Sequence, residues 1–154
     1  MNISLTVLNS IPLMKGFHTI ISITFSVIAV WLLYCSVRGI LKGRPYTGLD
    51  KYLSYGFIIT LYLQLIFGLI LFANPDSGSG NGYTGVEGAL KMASKRFWPI
   101  EHIVLMLFAL LIANLGLLFS SQSHSDSEKH RKILTYYVIA LIMIAVSLST
   151  NSAI

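Results

Sequence analysis

Of this 154-residue chain's side chains, the four histidines at positions 18, 102, 124 and 130 are the ones best suited to chemistry. Two of them stand at the mouths of long apolar runs. His18 opens "HTIISITFSVIAVWLLYCSV" and His102 opens "HIVLMLFALLIANLGLLF". Two neutral imidazoles presented from facing helices can bind a haem iron axially, while basic groups at the rim meet the propionates. An imidazole can also rest near lipid headgroups, satisfied by one hydrogen bond. The elements that carry the rings decide between these uses.

Those elements are long and apolar. The chain is 55% hydrophobic and only 11% charged, against roughly 25% charged residues in a soluble domain. Its mean hydropathy is +0.72. Residues 16–37, 52–74, 102–123 and 133–154 contain no Asp, Glu, Lys or Arg. About 20 apolar residues cross the hydrocarbon layer as a helix, so the pattern predicts four transmembrane spans at about 17–38, 52–73, 99–120 and 133–151. The expected fold is all-α: a polytopic membrane protein built as an antiparallel four-helix bundle. "MNISLTVLNSIPLM" lacks a basic n-region and a small-residue cleavage site. It reads as a short interfacial lead-in interrupted by Pro12. Cys35, the single cysteine, lies inside the first span and has no intrachain disulfide partner.

The net charge of +5 does not point to nucleic acid, because the basic residues are divided among the connections, where membrane orientation and anionic lipid explain them. Arg38, Lys42, Arg44, Lys51, Lys129, Arg131 and Lys132 flank the first and third loops. Lys15, Lys91, Lys95 and Arg96 lie on the other side. Seven against four predicts cytoplasmic first and third loops and both termini outside. The second connection begins with the turn-rich "NPDSGSGNGYTG" and continues with Val86, Leu90, Ala93 and Phe97 on one helical face. That spacing predicts a short interfacial helix over about 86–97. Trp98 suits the aromatic belt and Pro99 the first turn of the next helix.

Transmembrane interfaces favour small and weakly polar residues. In the second span, Tyr52, Gly56, Thr60, Gln64 and Gly68 form such a row and are expected to face inward. In the third, His102 heads Met106, Ala109, Ala113 and Gly116. Glu101 is turned about 100° away by the helical twist. In the first, His18 continues through Ser22, Phe25 or Ser26, and Ala29. Both histidines are therefore expected to look inward from the same side, on diagonal helices. Lys15, Lys95 and Arg96 lie on that side, placed for propionates. His130 stands at the opposite end as a candidate second-site ligand, or as a capping or headgroup contact. His124 lies in a polar serine-rich loop.

The sequence order also resembles a family. A first-span histidine, "LQLIFGLILF" in the second span, "EH" opening the third and "KHRKIL" entering the fourth resemble small four-helix bacterial membrane proteins of the cytochrome b type. The resemblance runs from about residue 17 to 147. It implies histidines in all four spans, haem b, electron transfer and a bacterial cytoplasmic membrane. His18, His102 and His130 match that pattern, whereas Tyr62 stands where the second-span histidine is expected. Tyr62 otherwise reads as bundle packing.

Two functional readings follow. One is a haem b electron-transfer subunit within or beside a larger redox complex, with quinone as a candidate exchange partner. The other is a cofactor-free accessory subunit among other membrane subunits. No soluble substrate is identified. Transport is disfavoured, since no ionisable group lies between the span ends and no proline breaks a span. Hydrolysis is disfavoured because no nucleophile sits with a base at catalytic spacing.

Overall fold

The computed structural model describes residues 3–73 and 97–152 of the chain, and the side chains of 12–73 and 100–149. Four helices account for the described residues: α1 (Ile3–Lys42), α2 (Gly48–Ala73), α3 (Phe97–Ser121) and α4 (Asp126–Ser152). Each contains a stretch long and apolar enough to cross a membrane. The chain is an all-α, multi-pass membrane protein. Helix α1 packs on α2 and α4, and α3 packs on α4 and α2. The pairs α1–α3 and α2–α4 thus lie across the diagonals of an antiparallel bundle.

Short connections with definite caps set this arrangement. Gly43 adopts φ 60° just past α1. The Arg44 N–H then donates to the Gly39 carbonyl at 3.2 Å, a Schellman closure that needs a residue free to enter the left-handed region. Helix α2 then opens on a cap centred on the Asp50 carboxylate. The Thr47 backbone N–H and hydroxyl both donate to the Asp50 carboxylate at 2.8 Å. At the start of α4, Ser125 Oγ accepts from the Glu128 N–H at 3.2 Å.

Two helices extend beyond the spans expected from the charge-free runs. Helix α4 starts at Asp126, so the charged "SEKHRK" segment is helical rather than a lead-in. Helix α1 runs through Pro12, because one missing N–H removes a single bond from a long helix whose remaining ladder persists. Pro99 does lie in the first turn of α3. The interfacial helix expected over 86–97, with Lys95 and Arg96, falls outside the described residues up to Phe97.

The core follows the small-residue logic. Met106, Ala109, Ala113 and Gly116 are all buried. A Cβ on Gly116 would stand 2.5 Å from the Tyr136 Cβ, so hydrogen alone permits this approach of α3 to α4. Phe57 lies at the centre, with ring centroids 4.7 Å from Phe25 and 4.5 Å from Tyr137. The Tyr137 hydroxyl donates to the Ser54 carbonyl at 3.2 Å, tying α4 to α2 across the diagonal. Outside, Ile20, Val27, Val30, Trp31, Ile142 and Leu148 are exposed and face lipid.

The expected inward row of α2 needs correction at its end. Thr60 and Gln64 are buried and Gly56 and Gly68 half-buried, but Tyr52 is 76% exposed. A phenol near a span end gains from the headgroup region, where its hydroxyl stays wet. Tyr62 is likewise exposed on the lipid side, not packed within the bundle.

Candidate functional site

At the end of the bundle that holds the α1 and α3 histidines, an apolar interior gives way to a polar layer. Its members are His18 and Ser22 from α1, Gln64 from α2, His102 from α3 and Ser147 from α4. Gln64 is 6% exposed. Its amide nitrogen donates to Ser22 Oγ and, at 3.3 Å, to the His18 carbonyl. This side chain therefore pins the register of α1 against α2 directly beside His18. The short i→i−4 bond from Ser22 Oγ to the same carbonyl, 2.9 Å, completes the knot.

The two imidazoles face this layer in different ways. The His18 ring rests against α2, with Cε1 4.0 Å from where a Cβ on Gly68 would stand. Its Nδ1 is buried and has no hydrogen-bond partner among the described residues, and Gln64 Oε1 is in the same condition. His102 Nδ1 lies 2.7 Å from Ser147 Oγ. That contact fixes the ring's rotation and, with Nδ1–H as donor, its tautomer. His18 and His102 thus stand at the same end of the bundle, one held against α2 and the other against α4.

Lys15 is exposed one turn before His18, and Glu101 is exposed, turned off the seam that His102 heads. Lys95 and Arg96 lie outside the described residues. Among the described residues no three His, Cys, Asp or Glu side chains gather as a metal-binding group. The donor set of this layer is a histidine pair.

His130 takes neither of its surface readings. It is fully buried, and neither ring nitrogen has a hydrogen-bond partner among the described residues. Its ring fills the space beside Gly39, where a Cβ would stand 2.3 Å from Cδ2. Tyr46 meets it edge-on, with centroids 5.1 Å apart. His124 is exposed, as its loop position suggests.

Two polar residues of consequence were not singled out from the sequence. Ser147 falls on the row Ile133, Tyr137, Ala140 and Ser147, which is buried throughout; its spacing of four, three and seven carried the signal. Asp50 is 1% exposed and holds Arg44 in an ion pair. Its acidic character placed it in a loop by composition, and only the T-x-x-D cap spacing marks it as helical.

Comparison of the chain with protein-family models, curated proteins and solved structures finds no match.

Proposed function

We propose that this protein is a b-type haem-binding electron-transfer subunit of a bacterial cytoplasmic membrane, with His18 and His102 as the axial ligands. One observation carries the reading: at the end of the bundle that also holds His102, the His18 Nδ1 is buried with no hydrogen-bond partner among the described residues. An orphaned ring nitrogen in an apolar bundle costs roughly 1–3 kcal/mol unless something occupies it. A bond from the iron to Nδ1 itself removes that cost, so Nδ1 is the ligating atom of His18 in this proposal. Haem iron supplies one-electron chemistry between its ferrous and ferric states.

The chain's own residues have defined parts in this proposal. Ser147 orients His102 through Nδ1. Gln64 locks the helix backbone at His18. Lys15 is placed for a propionate, with Lys95 and Arg96 as further candidates. The apolar walls exclude water and so keep the electron from side reactions. Loops one and three face the cytoplasm, both termini lie outside, and electrons pass to a partner subunit or a quinone.

The second reading, a cofactor-free accessory subunit, draws support from the packed core of Phe25, Leu61 and Met106. A reduced-minus-oxidised spectrum of the purified protein, expressed with added haem, separates the two. A Soret band with b-type maxima is expected. Its absence assigns the protein to the accessory role.

A further inference from the structure

We propose that the opposite end of the bundle carries a built site for the headgroup of an anionic phospholipid. Between the ends of α2, α3 and α4 lies a cavity of about 250 Å³. Lys51 and Tyr55 line it from α2, Ser120 and Ser121 from α3, Lys129 from α4, and Tyr46 from the connection before α2. No carboxylate is among its walls. Two ammonium groups and the phenols of Tyr46 and Tyr55 form a donor set that suits a phosphodiester, while the Ser120 and Ser121 hydroxyls donate to the Lys129 and Leu118 carbonyls.

The donors are held in place. Lys51 lies over the Tyr55 ring at 5.9 Å from its centroid, and Lys129 over the Tyr46 ring at the same distance. Lys129 is further braced by Asp126 at 3.4 Å, whereas Lys51 makes no ion pair among the described residues. Ser120 is buried, and its hydroxyl donates to the Lys129 carbonyl at 3.3 Å. Behind the site, the buried His130 ring supports Tyr46 edge-on. Burial pushes the Tyr46 phenol above its ordinary range. Tyr46 therefore remains an O–H donor at neutral pH.

Position selects the lipid over a free anion. The cavity sits at the end of membrane-crossing helices, and Leu117 forms an apolar wall. Leu118 beside it is exposed to the hydrocarbon. A headgroup phosphate in the cavity leaves its acyl chains along that apolar exterior, a cost that inorganic phosphate does not recover. Basic pockets between helix ends are the form that headgroup recognition takes in bundles.

The test uses the full chain in nanodiscs of dioleoylphosphatidylcholine with and without dioleoylphosphatidylglycerol. The readouts are thermal unfolding and native mass spectrometry of lipid retained on release. Phosphatidylglycerol is expected to raise the unfolding temperature and to remain bound to the wild type. Lys51→Gln with Lys129→Gln is expected to weaken that retention about tenfold or more. Lys42→Gln with Arg131→Gln removes the same charge away from the cavity and is expected to retain the lipid. Equal loss in both pairs means diffuse surface attraction and overturns the site. So does undiminished retention in the Lys51/Lys129 pair. Inorganic phosphate added to phosphatidylcholine discs is expected to leave the unfolding temperature unchanged; a rise matching that from phosphatidylglycerol overturns the assignment to lipid.

Discussion

A Cβ on Gly39 would stand 2.4 Å from Nε2 of His130. Helix α1 can approach α4 at this level only because position 39 has no side chain, and the imidazole occupies the space so left. Gly39→Ala sets two effects against each other. Alanine gains about 1 kcal/mol in helix propensity. Overpacking against a fully buried ring costs about 1–3 kcal/mol, and this ring cannot swing away because Tyr46 backs it. The clash is expected to win, lowering stability in detergent by about 1–2 kcal/mol. In a His130→Ala background the same Gly39→Ala change is expected to be neutral or stabilising. Additive effects in that double-mutant cycle would sink the contact as the cause.

Asp50 is expected to matter more than its place at a helix start suggests. It accepts from Thr47 twice and pairs with Arg44 while almost wholly buried. Asp50→Ala removes a cap worth about 1 kcal/mol and charge-assisted bonds worth about 1.5–3 kcal/mol. Arg44 is 27% exposed, so it rehydrates and part of that second figure is not lost. A net loss of about 2 kcal/mol is expected in equilibrium unfolding. Thr47→Ser, which keeps the cap, is expected to stay near wild type; a loss equal to that of Asp50→Ala contradicts the capping account.

What the sequence makes legible here is the membrane solvent's demand, and what it hides is pairing. Long charge-free runs have to become helices, since a backbone in hydrocarbon satisfies its polar groups no other way. Small residues at intervals of three and four mark a seam, so Met106, Ala109, Ala113 and Gly116 were readable as buried. So was Gln64, whose amide has no partner in lipid. Asp50 and His130 were not, because their burial depends on Arg44 and Gly39, partners that only the folded bundle brings to them. Tyr52 and Tyr62 misled for the opposite reason: near a membrane, a polar-tipped ring faces outward as readily as inward. The family resemblance drew the eye to His130, yet its burial against α1 follows from geometry that no motif encodes.

Gln64→Leu has a smaller expected cost than its depth suggests. The substitution loses the bonds to Ser22 and the His18 carbonyl, and intramembrane bonds of this kind average about 0.6 kcal/mol. It also removes Oε1, which is buried without a partner among the described residues. The two effects oppose each other, so destabilisation of at most about 1 kcal/mol is expected in an unfolding titration. A loss several times larger means that Gln64 holds more than the α1–α2 register.

The histidine layer makes a prediction with internal controls. His18→Ala and His102→Ala each remove one proposed axial ligand, and either is expected to abolish or greatly weaken the Soret band. Glu101→Gln alters an exposed residue off the seam and is expected to leave the spectrum intact. His130→Ala belongs to the other end of the bundle, so it is expected to lower stability while keeping the haem signal. Ser147→Ala discriminates most sharply. It leaves both imidazoles in place but frees the His102 ring from its 2.7 Å contact, and loss of such an orienting partner typically weakens a centre about 10–100-fold. Haem retained at reduced affinity, with shifted band positions, is therefore the expected outcome. If Ser147→Ala binds haem as wild type does while His102→Ala does not, Ser147 has no orienting role. If neither histidine variant changes the spectrum, His18 and His102 are not the ligands.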